Sequence, residues 1–155
     1  MSTPLITYTR ASSDEELYQI LEIQKRNIKA NISIEEKEKE GYITVGHDFD
    51  ILKKMNDACA HIIAKDENKV AGYALVMLPS FRYEMPVLTP MFTSADRLLK
   101  NNNYVAMGQI CIDKPYRKMG IFKGLYTFYQ EKLSSQFNSL FTCLLYTSPS
   151  PRDRG

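Results

Sequence analysis

The residues best suited to chemistry lie in one run, Gln109-Ile-Cys-Ile-Asp-Lys-Pro-Tyr-Arg-Lys-Met-Gly-Ile-Phe-Lys-Gly-Leu125. Within it, Arg117-Lys118-Met119-Gly120 is a basic turn that closes on a glycine. After the turn, Phe122, Leu125, Tyr129 and Leu133 recur at three- and four-residue spacing, which predicts a helix. Before it, Tyr104–Ile112 is apolar, partly β-branched and without a helical stripe, which predicts a buried strand. A helix start leaves its first backbone N–H groups unpaired and carries partial positive charge. A basic, glycine-containing turn at that point is therefore suited to a phosphate or pyrophosphate.

Two phosphate-binding motifs are excluded. A Walker loop needs G-x-x-x-x-G-K-[ST], and no glycine here precedes Lys-Ser or Lys-Thr. The dinucleotide fingerprint G-x-G-x-x-G is not supplied by Gly120 and Gly124. The segment resembles instead the acetyl-CoA signature of the GNAT superfamily of N-acetyltransferases, a strand followed by Q/R-x-x-G-x-G/A opening a helix. Here the hexad reads Arg117-Lys118-Met119-Gly120-Ile121-Phe122, with Phe122 in place of the usual small residue. A bulky side chain there is tolerated if it points into the core.

The resemblance covers about residues 5–142 and implies an α/β (α+β) acyl-CoA N-acyltransferase fold, a mixed twisted sheet with helices on both faces. It implies acetyl transfer from acetyl-CoA to a primary amine of a small molecule or peptide, with no metal. The amine must lose a proton and an oxyanion must be stabilised. By position, the backbone of Ile110, Cys111 and Ile112 would meet the pantetheine arm. The N–H groups of Arg117, Lys118, Met119, Gly120, Ile121 and Phe122 would hold the pyrophosphate, with the Arg117 and Lys118 side chains adding charge.

No general base stands out. Some members of the family carry a glutamate on the central strand, where this chain has Gln109, which cannot take a proton at neutral pH. Gln109 and Glu84 are the catalytic candidates, Gln109 as a positioner of water and Glu84 as a substrate contact. Cys111 reads as a packing residue and not as an acyl-carrying nucleophile. His47, in a polar loop, and His61, opening a strand, read as structural or exposed. The acceptor is expected between about Asn27–Ser33 and the irregular segment Leu78–Met91. Two other classes stay open: a non-catalytic acyl-CoA-binding or sensor domain, and a structural α/β module whose turn binds nothing.

Composition bounds these readings. The chain has 155 residues, one domain's worth, with 44% apolar content, enough for a core. A net charge of +2 gives no reason to expect nucleic acid or a membrane surface as partner. No apolar stretch approaches a membrane span, and Met1-Ser-Thr-Pro-Leu5 is not a signal peptide. Isolated cysteines without a C-x-x-C point to a reduced, cytoplasmic protein.

The elements that must position the run are legible by pattern. Leu5–Arg10 alternates as a strand. A capping box of Ser13 with Glu16 opens a helix whose stripe is Leu17, Ile20, Leu21 and Ile28. A second box, Ser33 with Glu36, opens a short helix closed by Gly41, and Tyr42–Val45 is a short extended piece. Phe49–Met55 is a helix. Ala60–Lys65 and Val70–Met77 are strands joined by the turn Asp66-Glu-Asn-Lys69. Pro79, Pro86 and Pro90 break Leu78–Asn103, leaving Ser94–Leu99 as a short helix. Phe122–Leu133 is the long helix, and Ser139–Thr142 begins a further strand.

Cys143-Leu-Leu-Tyr-Thr-Ser-Pro-Ser-Pro-Arg-Asp153 looks like the translation of a sequencing adapter. On that reading residues 143–155 are a non-native, disordered tail and the domain is truncated near Thr142. The family's following helix, which often carries an Asn touching the cofactor and a Tyr general acid, would then be missing, and Tyr146 is not assigned that role. A chain so truncated is expected to lack measurable acetyltransferase activity.

Overall fold

The computed structural model describes residues 4–27, 41–43, 47–99, 103–137, 139–142 and 147–149. From the N-terminus, β1 (Ile6–Arg10) leads to α1 (Asp14–Asn27), β2 (Gly41–Ile43), α2 (Phe49–Ala58), β3 (Ile62–Asp66) and β4 (Lys69–Met77). There follow α3 (Thr89–Leu98), β5 (Tyr104–Ile112), α4 (Ile121–Leu133), β6 (Ser139–Thr142) and β7 (Thr147–Pro149). The main sheet has the order β1-β3-β4-β5-β6. Its first four strands pair antiparallel, and β6 joins β5 in parallel. This is the mixed α/β architecture expected of the chain.

Helices cover both faces. On one, Leu17, Ile20 and Ile23 of α1, Leu52 and Met55 of α2, and Met91, Phe92 and Ala95 of α3 pack on Tyr73, Leu75 and Tyr104. On the other, Ile121, Leu125, Tyr129 and Leu133 of α4 pack on Ala74, Val76, Val105 and Ile110. Every residue of β5 is buried, as a strand with cover on both faces requires.

Register in β5 shifts once. Leu75 pairs with Gln109 but Val76 pairs with Met107, so Gly108 is an extra residue, a β-bulge. The bulge changes which side chains face which layer. Tyr104 and Ala106 face α1 before it, and Cys111 faces α1 after it. Gln109 is thereby turned toward α1 as well.

Local chemistry accounts for the ends of the elements. Ser13 Oγ accepts the Glu16 N–H at 3.2 Å, while Glu16 Oε1 accepts the Ser12 N–H at 2.8 Å. The capping box therefore closes one residue further back than the usual pattern. Ile28 and the second box, Ser33 with Glu36, lie outside the described residues. The hairpin turn is tighter than read: Asp66 pairs with Lys69, leaving two turn residues, of which Glu67 has φ 55°.

Two expectations need correction. The helix read as Ser94–Leu99 begins at Thr89, because Pro90 sits in its first turn, where the missing N–H would have been unpaired anyway. The tail read as disordered contains β7, whose Thr147 and Ser148 pair with Ile43 and Tyr42. Extended β-branched and aromatic residues favour such pairing, and Pro149 falls at the strand end, where a lost N–H costs least.

Candidate active site

At the C-terminal end of β5 the chain turns sharply under several restraints. The Asp113 N–H donates to Ala71 O at 2.8 Å, continuing the β4 pairing. Asp113 Oδ1 accepts the Lys114 N–H at 3.1 Å, and Oδ2 accepts from Arg26 at 3.0 Å. A 3-10 turn, Lys114–Tyr116, then buries Tyr116, whose hydroxyl donates to Asp66 at 2.8 Å. The loop is thus fastened to α1 on one side and to the β3–β4 hairpin on the other.

Beyond that anchor lies the predicted phosphate turn. Lys118 has φ 66° and Gly120 has φ 80°, both in the left-handed region. The Arg117 N–H donates to Lys114 O, and the next backbone bond is Gly124 N–H to Gly120 O at 3.1 Å. Among the described residues, the amides of Lys118 to Lys123 have no backbone acceptor. Successive free amides with left-handed members form a concavity for an anion, here at the N-terminus of a thirteen-residue helix. A Cβ on Gly120 would meet nothing within 4 Å, so the space beside it is open.

Arg117 does something else. Its Nε donates to Ile112 O at 3.0 Å, and Nη2 donates to Asn27 Oδ1 at 2.5 Å. Asn27 is itself fixed by donating to Ile23 O at 2.7 Å. The guanidinium therefore ties the turn to α1 and occupies the Ile112 carbonyl. Lys118 and Met119 are exposed, Ile121 is buried, and Phe122 is half-buried against the α4-side core. The bulky sixth residue of the hexad is thus accommodated by packing.

The three predicted backbone positions, Ile110, Cys111 and Ile112, lie on the part of β5 that pairs with β4 but not with β6. The described β6 residues pair only with Tyr104 to Met107. Cys111 faces α1, and burial pushes its thiol up to about 12, with Arg117 acting weakly the other way.

Gln109 has 0% exposure and sits in a polar chain. Its Oε1 accepts from the Tyr73 hydroxyl at 2.6 Å and from Gln24 Nε2 at 2.8 Å. Gln24 also contacts His47, accepting its backbone N–H at 2.6 Å and approaching Nδ1 at 2.9 Å. By sequence His47 is a structural or exposed residue of a polar loop, and the fold joins it through Gln24 to Gln109. Burial holds its imidazole down to about 4, with Asp48 pulling the other way. Glu84 is exposed and pairs with Lys54 at 3.7 Å, outside this chain.

Three residues that the fold brings to this region are not site candidates by sequence: Gln24, Asn27, which only bounds the expected acceptor region, and His47. For the first two a signal existed. Leu17, Ile20, Gln24 and Asn27 share one helix face, so two amides interrupt an apolar stripe and need buried partners. No sequence signal marks His47. Among the described residues, no group of three or more His, Cys, Asp or Glu is placed to hold a metal ion, and no helix is long and apolar enough to cross a membrane.

No protein-family model and no curated protein sequence matches the chain. Solved structures do. An aminoglycoside acetyltransferase, meta-AAC0020 from an uncultured soil metagenomic sample, solved with trehalose, superposes with a TM-score of 0.58 at 13% identity. The match covers 89% of this chain and 76% of that one. The same enzyme with sisomicin gives a TM-score of 0.53 at 15% identity, over 89% and 76% of the two chains. The fold is one that an acetyltransferase uses.

Proposed function

We propose that this protein is an acetyl-CoA-dependent N-acetyltransferase of the GNAT type, acting on a primary amine of a small molecule or peptide. The observation that carries the reading is the row of unpaired amides from Lys118 to Lys123, with left-handed Lys118 and Gly120, directly after a buried strand. The pyrophosphate of acetyl-CoA is held on these N–H groups. Lys118 adds charge from the exposed side, while Arg117 is engaged in holding the turn. The edge of β5 beyond Met107 offers backbone groups to the pantetheine arm and an N–H to the oxyanion. That the structural neighbours are aminoglycoside acetyltransferases, seen with a sugar and with an aminoglycoside, supports a hydroxyl-bearing small amine as the acceptor.

A second reading, an acyl-CoA-binding sensor without turnover, is favoured by one observation. The described partners of Gln109 are a phenol and an amide, and neither takes a proton at neutral pH. For catalysis the amine would then give its proton to a group other than these two partners.

Titration calorimetry with acetyl-CoA tests the common ground of both readings. Gly120→Val forces a β-branched residue into a left-handed position and withdraws amides from the anion. Losing two charge-assisted contacts costs roughly 3–6 kcal/mol, or about 150- to 25,000-fold in affinity. Unchanged affinity in a folded Gly120→Val variant removes the phosphate-turn assignment. Binding without acetylation of any amine selects the sensor.

A further inference from the structure

The polar chain Tyr73–Gln109–Gln24–His47 ends in an atom with nothing to bond. Hydrogen-bond logic fixes its state. The backbone N–H of His47 can only donate, and Gln24 Oε1 receives it at 2.6 Å. That contact sets the orientation of the Gln24 amide, so its Nε2 carries the two hydrogens. One goes to Gln109 Oε1 at 2.8 Å and the other to His47 Nδ1 at 2.9 Å. His47 Nδ1 is therefore an acceptor, and the neutral ring carries its hydrogen on Nε2. His47 Nε2 is buried and, among the described residues, has no hydrogen-bond partner.

An unpartnered buried donor bears its full desolvation penalty and calls for an explanation. A base role does not fit, because the nitrogen that could take a proton already accepts from Gln24. The free position offers a hydrogen, so an ammonium is repelled and an acceptor oxygen is wanted. The location fits a ligand as well. Gln24 reaches β5 through Gln109, and Arg26 and Asn27, two and three residues on, hold Asp113 and Arg117 beside the phosphate turn.

We propose that His47 is a specificity-determining residue of the acceptor pocket, its Nε2–H binding a hydroxyl or carbonyl oxygen of the amine substrate. The proposal rests on the acyl-transfer reading, and it makes His47 a recogniser of oxygen and not the base.

Long-range 1H–15N spectra of the full chain labelled at histidine test it without turnover. In the free protein His47 should be the Nε2–H tautomer and stay so from about pH 5.5 to 8. Glucosamine (hydroxyl oxygens) or glycinamide (a carbonyl oxygen) should shift the His47 Nε2–H resonance, and cyclohexylamine should not. Which of the first two acts identifies the source of the oxygen. In turnover, His47→Phe should raise KM for that amine about 10-fold, the loss of one hydrogen bond, with little change for cyclohexylamine. His47→Gln, which keeps a donor near the Nε2 position, should recover part of the loss. An Nδ1–H tautomer, a midpoint near the ordinary histidine value, or no shift with either oxygen-bearing amine (a buried water then being the partner) overturns the proposal. If no amine is acetylated, the acyl-transfer reading falls, and the spectra still decide whether His47 takes an oxygen.

Discussion

The two histidines share a tautomer but differ in what surrounds them. His61 Nδ1 accepts the Val76 N–H at 3.0 Å, and its Nε2 donates to Leu52 O at 3.2 Å. Both nitrogens are used, and the ring pins α2 to the β3–β4 hairpin. His47 uses one nitrogen for Gln24 and leaves the other unbonded. The same contrast runs through the backbone. The hairpin region uses both ring nitrogens of its histidine, whereas, among the described residues, His47 Nε2 beside α1 and the amides of Lys118–Lys123 after β5 have no acceptor. One region is complete as folded. The other keeps donors without an acceptor among the described residues.

The largest effect expected comes from breaking the complete side. His61→Leu strands the Val76 N–H and the Leu52 carbonyl in the core, which should cost roughly 2–5 kcal/mol and lower the melting temperature by about 10 °C. It should also remove an acid sensitivity. Burial holds the His61 pKa down to about 3, below the ordinary 6.5. As pH falls, the unfolded chain therefore takes up the proton first. The stability is full above about 6.5 and drains between there and about 3. Melting curves across that range should be flatter for His61→Leu. A variant as stable as the parent at pH 7 would abolish the contrast between the two sites.

Much of this arrangement is legible in the sequence, and what is not has a physical cause. The bounds of β5 follow from an unbroken apolar run, and α4 begins one residue before its predicted start because Ile121 joins the stripe. The turn before α4 is readable because a glycine between basic residues and a helical stripe marks a helix mouth, and Gly120 is left-handed there. The start of α3 is hidden because Pro90 is a breaker inside a helix but a starter in its first turn. The direction of Gln109 depends on the Gly108 bulge, and a register shift leaves no trace in residue types. His47 meets Gln24 across 23 positions, a contact that only the tertiary fold creates.

An intermediate effect separates the two glycines of the helix mouth. A Cβ on Gly124 would lie 2.0 Å from the Tyr8 hydroxyl and 2.2 Å from its ring, so Gly124 is a packing glycine on the closed side. Gly124→Ala should cost about 1–3 kcal/mol through overpacking, less about 1 kcal/mol regained from helix propensity. In a Tyr8→Ala background the obstacle is gone and Gly124→Ala should become stabilising. Gly120→Ala meets no neighbour, and its cost of about 1 kcal/mol comes from φ alone. That cost should be the same in either background. Equal behaviour of the two glycines in the double-mutant cycle would show that α4 does not have a packed face and an open mouth.

The smallest effect is expected at Cys111, which is on the open end of β5 by position but on the closed side by orientation. Its sulfur packs among the α1-side core, and the thiol is pushed up to about 12 by burial. A nucleophilic cysteine needs its thiolate, and at neutral pH a group with that pKa supplies about one part in 100,000. The nearby Arg117 does not reverse this, since its guanidinium is engaged with the Ile112 carbonyl and Asn27. Acyl transfer through Cys111 would also require the sulfur to leave the α1-side core. Cys111→Ala should therefore keep most of whatever turnover the protein shows and lose about 1 kcal/mol of stability or less. Mass spectrometry after incubation with acetyl-CoA should find no acetyl group on the chain at this residue. A stoichiometric adduct at Cys111 would mean that the sulfur reaches the open side, and would replace direct attack by a two-step mechanism.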